Sequence, residues 1–262
     1  MDIKILVATH KAYKMPEDNI YLPIQVGSEL SEHYLGYQCD NIGENISHKN
    51  PSYSELTALY WGWKNLDCDY IGLVHYRRHF SLSKKKTRIN KQKHDYILNS
   101  EEVNLLLSEN GVILPKKRNY LIETLQSHYY NTHDRRHLDI TECIIKNKFP
   151  EYLNSYKKIL SQRKGHMFNM FIMKKRLSDK YCEWLFSFLG ELEKNIDESE
   201  LSSYEARLYG RVSEILLNVW VDKEKLTYKE IKHLHLEKID WLNKGMCFFR
   251  AKLLKKAYTE SF

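Results

Sequence analysis

The sequence predicts an α/β protein with a mostly parallel central sheet flanked by helices. Short apolar segments at 3–8, 70–76 and 111–115 are typical of buried strands. Segments with helical spacing of apolar residues separate them, and strands that alternate with helices favour parallel pairing. The chain has 262 residues, of which 42% are hydrophobic, so it can build the core of one large domain.

The first predicted strand, IKILVA, ends at Thr9, His10 and Lys11. Residues 12–50 are polar and irregular, a length of connection that is usually functional. A helix is expected to begin at Asn50-Pro51, since proline is favoured at the first helical position. Four apolar residues follow at helical spacing and predict one buried face: Leu56, Leu59, Tyr60 and Trp63.

The stretch YIGLVHYRRHF (70–80) begins as a buried strand and ends in His75, Arg77 and Arg78. In open α/β sheets, ligands bind beyond the carboxyl ends of the strands. A planar guanidinium binds phosphate oxygens bidentately. The stretch therefore predicts a site for a phosphate-bearing ligand.

The later half of the chain alternates helices with short strands. A helix is expected at 100–109, and two helices at 137–160 should break at Phe149-Pro150. The segment HMFNMFIMKK predicts a strand, and helices are expected at 178–194 and 203–221. We assign 1–221 to the main domain and 222–262 to a helical, basic extension packed on it.

Composition limits the choice of partner. The net charge of +7 favours an anionic partner, and the five cysteines lack a C-x-x-C pair, which suggests a reducing cytoplasm. The chain shows no signal peptide and no apolar run of about 20 residues. A nucleic-acid-binding protein is one alternative, favoured by the basic loop at 84–94, although no known nucleic-acid module is present.

Seven blocks of the sequence resemble one family in their order along the chain. They are VATHK, NISHKNPSYSELTALYWGWKN, YIGLVHYRRHF, ILPKKRNYLIET, GHMFNMFIMKK, YCEWLF and YEARLYGRVSEILLNVW, and they span about residues 3–221. The family is one of bacterial capsular and exopolysaccharide synthesis, first catalogued as a domain of unknown function and later assigned as galactofuranosyltransferases.

The resemblance implies a GT-A-like fold and an inverting hexosyltransferase. The implied donor is UDP-galactofuranose, and the implied acceptor is a lipid-linked capsular, exopolysaccharide or O-antigen glycan. UDP-galactopyranose or UDP-glucose is the alternative donor. A non-catalytic sugar-nucleotide-binding subunit remains a further alternative.

The donor site is expected at strand ends and in the blocks named above. Glu55 could instead complete a capping box from Ser52, and His10 could be a structural histidine. The candidate donor-binding residues are Thr9, His10, Lys11, Glu55, Thr57, His75, Arg77, Arg78, Asn169 and Arg207.

GT-A enzymes commonly hold a divalent metal with an Asp-x-Asp motif after a strand. Here DCD (67–69) precedes the strand, and HYRR stands where the acids are expected. We therefore expect arginines to take over some or all of the metal's role in stabilising the leaving diphosphate. No metal or other cofactor is predicted to be required; if a metal is used, manganese or magnesium is expected.

An inverting transfer needs a carboxylate that accepts the proton of the acceptor hydroxyl. The polar stripe Arg207, Arg211, Glu214 and Asn218 flanks the apolar face of the last long helix, which makes Glu214 the first candidate. Glu214 could instead form an internal salt bridge with one of these arginines. Glu205, which could also cap a helix after Ser202, and Asp139 are the other candidates.

The segment 243–258 mixes phenylalanines and leucines with lysines and arginine. This pattern is typical of a helix at a membrane surface, where the lipid-linked acceptor would lie. Ordinary packing on the core is the interpretation that we favour, and docking on a membrane is the alternative. A cytoplasmic location is expected, at the inner face of the plasma membrane if this segment docks there.

Overall fold

The computed structural model describes residues 1–82, 93–198, 201–202 and 204–237. This part of the chain contains one large mixed sheet and a small two-stranded sheet. Its strands are β1 (Ile3–Thr9), β2 (Tyr21–Gln25), β3 (Gln38–Cys39), β4 (Tyr70–His75), β5 (Arg78–Ser81), β6 (Val112–Pro115), β7 (Arg118–Asn119), β8 (Lys164–Gly165), β9 (Phe171–Lys174) and β10 (Lys229–His235).

The helices lie between the strands, as the alternating sequence pattern predicts. They are α1 (Asn50–Tyr53), α2 (Leu56–Asn65), α3 (Ser100–Glu109), α4 (Leu125–Thr132), α5 (Arg136–Lys148), α6 (Leu153–Ser161), α7 (Lys175–Glu193) and α8 (Leu208–Lys223). None of the described helices is long and apolar enough to span a lipid bilayer.

The expectation of a mostly parallel sheet is wrong. The first half, β3-β2-β1-β4, is parallel, but β9 lies antiparallel between β4 and β6, and β5 is antiparallel to both β4 and β10. With β7–β8, the described pairings comprise five antiparallel and four parallel ones. Only a tight turn separates β4 from β5, which permits antiparallel pairing alone.

Several predicted elements are confirmed, and others are shorter than expected. The helix at Ser100–Glu109 and the break at Phe149-Pro150 are present. The helix that begins at Asn50 is divided at Ser54, whose φ is 52°. The predicted strand at 166–175 is extended only over Phe171–Lys174.

The core lies on both faces of the sheet. Alternate residues of β1 point to opposite faces, so Leu6 joins the cluster under α2, α7 and α8, while Ile5 joins the cluster on the α3 side. At Gly62 of α2, an added Cβ would lie 2.5 Å from Leu6 Cδ1. This close approach seats α2 directly on β1, with the start of α2 near the carboxyl end of the sheet.

The proposed boundary at 221 lies within α8, and β10 joins the large sheet between β5 and β6. The division into a domain and an extension stays a prediction. The segment 243–258 and most of the basic loop at 84–94 lie outside the described residues.

Candidate functional site

A cleft of about 790 Å³ opens where β1 and β4 end. Its walls come from the segments after these strands, from the loop before β9 and from α4 and α8. The cleft brings together eight of the residues that were singled out from the sequence: His10, Lys11, Glu55, His75, Arg77, Arg78, Arg207 and Glu214.

The cleft contains a cationic cluster, formed by His10, Lys11, Arg77 and Arg207. Burial lowers the pKa of His10, and the charges of Lys11, Arg207 and Arg77 lower it further. The Lys11 ammonium and the Arg77 guanidinium lie 5.1 Å and 5.8 Å from the centre of the Tyr76 ring. An anion in this cluster would meet several positive groups held at fixed positions.

The carboxylate of Glu237 contacts this cluster directly. Its two oxygens lie 3.5 Å from Lys11 Nζ and 3.4 Å from Arg77 Nη1. Lys93 fixes the segment because its ammonium donates hydrogen bonds to the backbone carbonyls of His235, Leu236 and Glu237 at 2.9–3.0 Å. An internal carboxylate therefore lies against two cations of the cluster.

The same cleft contains Glu55 in a fixed orientation. The amide of Asn169 donates a 2.7 Å hydrogen bond to Glu55 Oε1, and His75 Nε2 lies 3.9 Å from the same oxygen. His75 Nε2 also lies 2.8 Å from the carbonyl oxygen of Phe168. Burial lowers the pKa of His75 despite the opposing charge of Glu55, which favours a neutral ring that donates to Phe168.

The backbone around Glu55 adopts unfavourable conformations. Ser54, Phe168 and Asn169 have φ values of 52°, 74° and 52°. These values lie in the left-handed region, which residues other than glycine rarely adopt. Such conformations concentrate at functional sites, where the surrounding structure enforces them. Ser54 precedes Glu55 in the chain, and Asn169 donates a hydrogen bond to its carboxylate. The unfavourable backbone conformations therefore lie next to Glu55.

Glu214 lies on α8 at the cleft wall and is the second carboxylate that we consider there. Burial raises its pKa to about 7, and the negative charge of Glu55 adds to the effect. A hydrogen bond from the backbone N–H of Phe168 and the charges of Arg78 and Arg118 oppose the shift. Glu214 therefore changes its protonation near neutral pH, as a proton acceptor in catalysis requires.

Arg78 contacts the aromatic ring of Phe168 and interacts electrostatically with both acids. Its side chain is only 8% exposed, and its guanidinium stacks 4.5 Å from the centre of the Phe168 ring. Burial lowers its pKa, while Glu214 and Glu55 act in the opposite direction. The side chain thus supplies a buried positive charge that faces the two carboxylates.

The structure places three further donor-site candidates behind the cleft wall. Thr9 Oγ1 donates to the carbonyl of Lys11, and buried Thr57 donates to the carbonyl of Ser54. Asn169 is 2% exposed and supports Glu55 from behind. Their contacts shape the cleft without lining it.

The other two candidate bases also lie outside the cleft lining. The carboxylate of Glu205 accepts hydrogen bonds from Ser202 at its helix end, as the capping alternative describes. Asp139 is half exposed on α5, where it accepts a 2.7 Å hydrogen bond from Tyr130 and lies 3.5 Å from Arg135. Of the three candidates, the geometry brings only Glu214 to Glu55 and Arg78.

Sequence reasoning missed the wall formed by α4 and the strand before it. Arg118 stacks 4.8 Å from the Tyr120 ring, and Tyr120 packs 4.2 Å from the His128 ring. His128 Nδ1 in turn lies 2.9 Å from a carboxylate oxygen of Glu123. The block ILPKKRNYLIET marked this region, but the mixed polar sequence of α4 gives no periodic signal.

The Asp67-Cys68-Asp69 stretch lies at the amino end of β4, away from the cleft. The Asp69 carboxylate accepts a 2.8 Å hydrogen bond from the backbone N–H of Asp2. Within the described ranges, no group of three or more His, Cys, Asp or Glu residues could hold a metal ion.

The fold and the site define a mixed α/β protein whose charged cleft pairs a cationic cluster with two carboxylates. The chain belongs to the family described as "Domain of unknown function (DUF4422)", whose model matches residues 4–225. None of the curated proteins matches the chain.

Among solved structures, the chain is similar to the bifunctional glycosyltransferase WbbM in its apo form. The two share 31% sequence identity with a TM-score of 0.84. The match covers 91% of this chain and 46% of the WbbM chain, so this chain spans about half the length of that protein.

Proposed function

We propose that this protein is a glycosyltransferase that transfers a hexose from a UDP-sugar to a lipid-linked glycan. UDP-galactofuranose is the donor that we favour, with inversion at the anomeric carbon. The similarity to WbbM, a glycosyltransferase, supports sugar transfer. The observation that carries the proposal is that one cleft brings a cationic cluster together with the carboxylates of Glu55 and Glu214.

The cationic cluster suits the diphosphate of the donor. Lys11, Arg77 and Arg207 supply positive charges around His10 at the carboxyl end of β1 and β4. As the bond between the sugar and the diphosphate breaks, negative charge develops on the leaving UDP. Donors that are already in place stabilise this charge without reorganisation.

Glu214 suits the role of general base. Its carboxylate would accept the proton of the acceptor hydroxyl while that oxygen attacks the anomeric carbon and the bond to the diphosphate breaks with its electron pair. A pKa of about 7 leaves a substantial fraction ionised at neutral pH while keeping the group basic. Glu55, whose carboxylate Asn169 holds in a fixed orientation, would accept hydrogen bonds from sugar hydroxyls.

We further propose that the fixed cations provide the charge stabilisation for which GT-A enzymes commonly use a metal. Activity should then survive a chelator at a concentration that removes free divalent ions. Complete loss of activity with EDTA, restored by manganese, would contradict this part of the proposal.

The function is tested by a donor screen. The protein is incubated with UDP-galactofuranose, UDP-galactopyranose or UDP-glucose, with and without a bacterial lipid extract that contains glycan acceptors, and free UDP is detected by mass spectrometry. We expect UDP to be released most rapidly from UDP-galactofuranose. The release should depend on the lipid extract. UDP binding without release from any donor would instead favour a non-catalytic sugar-nucleotide-binding subunit.

A further inference from the structure

The turn between β7 and α4 presents two large apolar side chains to solvent at the rim of the cleft. Leu121 is 70% exposed and Ile122 is 63% exposed. Over the part of the chain that the structure describes, they are the one consecutive pair among the exposed large hydrophobic residues. Contiguous exposed apolar side chains are a feature that interaction surfaces share.

Hydrogen bonds hold this turn in its exposed conformation. The N–H of Leu121 donates to Asn119 Oδ1 at 3.0 Å, and Arg163 Nη1 donates to the carbonyl of Leu121 at 3.3 Å. The N–H of Tyr120 also donates to the carbonyl of Arg163 at 2.9 Å. Leu121 has a φ of 59°, which is unfavourable for a bulky residue, so the structure maintains the exposed pair against a local cost.

The two chain segments that form this surface carry charges of one sign. The segments 116–122 and 163–165, which pair through β7 and β8, contain five basic residues and no acidic residue in ten positions. Arg118, Arg163 and Lys164 are exposed. The nearest acid in sequence, Glu123, is buried and binds His128 and Asn131.

The segment that carries the apolar pair also reaches into the cleft. Arg118 and Tyr120 line the cleft, while the next two residues along the chain, Leu121 and Ile122, point to solvent. Whatever contacts the apolar pair therefore lies beside the cleft opening. An apolar tip within a basic surface is complementary to the interface of an anionic bilayer, where acyl chains lie below phosphate groups.

We propose that the tip formed by residues 116–122 and 163–165 docks the protein on an anionic membrane surface. Leu121 and Ile122 would enter the boundary between headgroups and acyl chains, and Arg163 and Lys164 would contact lipid phosphates. The cleft opening would then face the bilayer. This docking goes beyond the proposed transfer reaction, and it can be measured without donor or acceptor.

The test is co-sedimentation of the full chain with vesicles. Wild type should bind vesicles of phosphatidylcholine with phosphatidylglycerol, bind pure phosphatidylcholine weakly, and lose binding as salt rises. The double variant Leu121→Ser, Ile122→Ser should lose most of its binding. The control Leu105→Ser removes a leucine of α3 that is as exposed as Ile122, at 63%, and should bind as wild type does.

A charge variant gives a second, independent measurement. Lys164→Glu should weaken binding to the anionic vesicles at least about fivefold, whereas the control Lys180→Glu, at an exposed position of α7, should have a smaller effect. Unfolding midpoints equal to that of wild type would show that the variants are folded.

Three results would overturn the proposal. The first is equal sedimentation of wild type and the double variant. The second is loss of binding only when the tail lysines 252, 255 and 256 are changed to glutamate. The third is a change in oligomeric state of the double variant by size-exclusion chromatography with vesicle binding unaltered, which would make the pair an interface between copies of this chain.

Discussion

The amide of Asn169 donates a 2.7 Å hydrogen bond to the carboxylate of Glu55, a residue 114 positions earlier in the chain. The same amide donates to the carbonyl of Gly210 on α8 at 2.9 Å, and its oxygen accepts from Ser213 at 3.0 Å. One buried side chain thus links the strained loop before β9 to Glu55 and to the helix that carries Glu214.

Two substitutions at Asn169 separate the contribution of its side-chain hydrogen bonds to stability from the cost of its backbone conformation. Asn169→Gly and Asn169→Ala both remove the hydrogen bonds and should each lower the free energy of unfolding by ~1–3 kcal/mol. The alanine variant should be less stable than the glycine variant by a further ~1 kcal/mol, since φ is 52°. Urea unfolding measures both; an alanine variant at least as stable as the glycine variant would contradict the strain that we infer.

Glu214→Gln should lower the rate of UDP release by roughly 10²–10⁴-fold, the usual contribution of a general base. In wild type, the rate should rise with pH through about 7, because the base acts in its deprotonated form. The residual rate of the variant should lack this rise. Glu205→Gln and Asp139→Asn are matched controls, and a comparable loss in either would move the base to that residue.

The raised pKa of Glu214 also predicts that the free energy of unfolding depends on pH. Between its ordinary pKa of 4.5 and its folded pKa of about 7, the folded state keeps a proton that the unfolded state has released. The contribution of Glu214 to stability therefore falls as pH rises through this window. Glu214→Gln should gain stability relative to wild type from pH 4.5 to 8, by at most ~3 kcal/mol.

Urea unfolding of both proteins at several pH values measures this difference. Glu205→Gln provides a control of opposite sign, because hydrogen bonds from Ser202 lower the pKa of Glu205 and its contribution is lost at acidic pH. A constant difference between Glu214→Gln and wild type across the window would show that burial does not raise the pKa.

Arg77→Ala should weaken UDP binding by ~1.5–3 kcal/mol, which corresponds to an affinity about 10–100-fold lower. Arg77→Lys should restore only part of the affinity because the planar fork is lost. Isothermal titration with UDP measures both. Arg176→Ala, at an exposed position on α7, should bind UDP as wild type does.

Glu237→Gln should increase the affinity for UDP. The Glu237 carboxylate oxygens lie 3.5 Å from Lys11 Nζ and 3.4 Å from Arg77 Nη1. The carboxylate would therefore compete with a phosphate for the same two cations. The gain should shrink with rising salt, which screens exposed charges. Weaker UDP binding by this variant would show that Glu237 positions the two cations rather than competing for them.

The sequence identified the residues that follow buried strands more reliably than the direction of the strands. His10 and Lys11 follow β1, and Arg77 and Arg78 follow β4, as their positions after apolar runs predicted. The sequence could not show that β9 runs antiparallel to its neighbours, because an apolar segment has the same pattern whichever way the strand runs. The sequence also gave no indication that the helix divides at Ser54 or that Phe168 has a positive φ. Tertiary contacts enforce both conformations.

The pairing of Glu55 with Glu214 could not be predicted, because it depends on how α8 packs beside α1 and on the path of the loop before β9. Arg118 and Glu237 reach the cleft and its cationic cluster from segments that carried no expected role. Such residues become visible only when the fold brings distant segments together.

The most direct test of the central claim is the addition of hexose to lipid. Wild type and Glu214→Gln are incubated with UDP-galactofuranose and the acceptor-containing lipid extract, and the lipids are analysed by mass spectrometry while UDP affinity is measured by titration. We predict that wild type adds hexose to a lipid-linked glycan and that the variant binds UDP with similar affinity but adds almost none. Equal addition by both proteins, or no addition by a wild-type protein that binds UDP, would contradict the account.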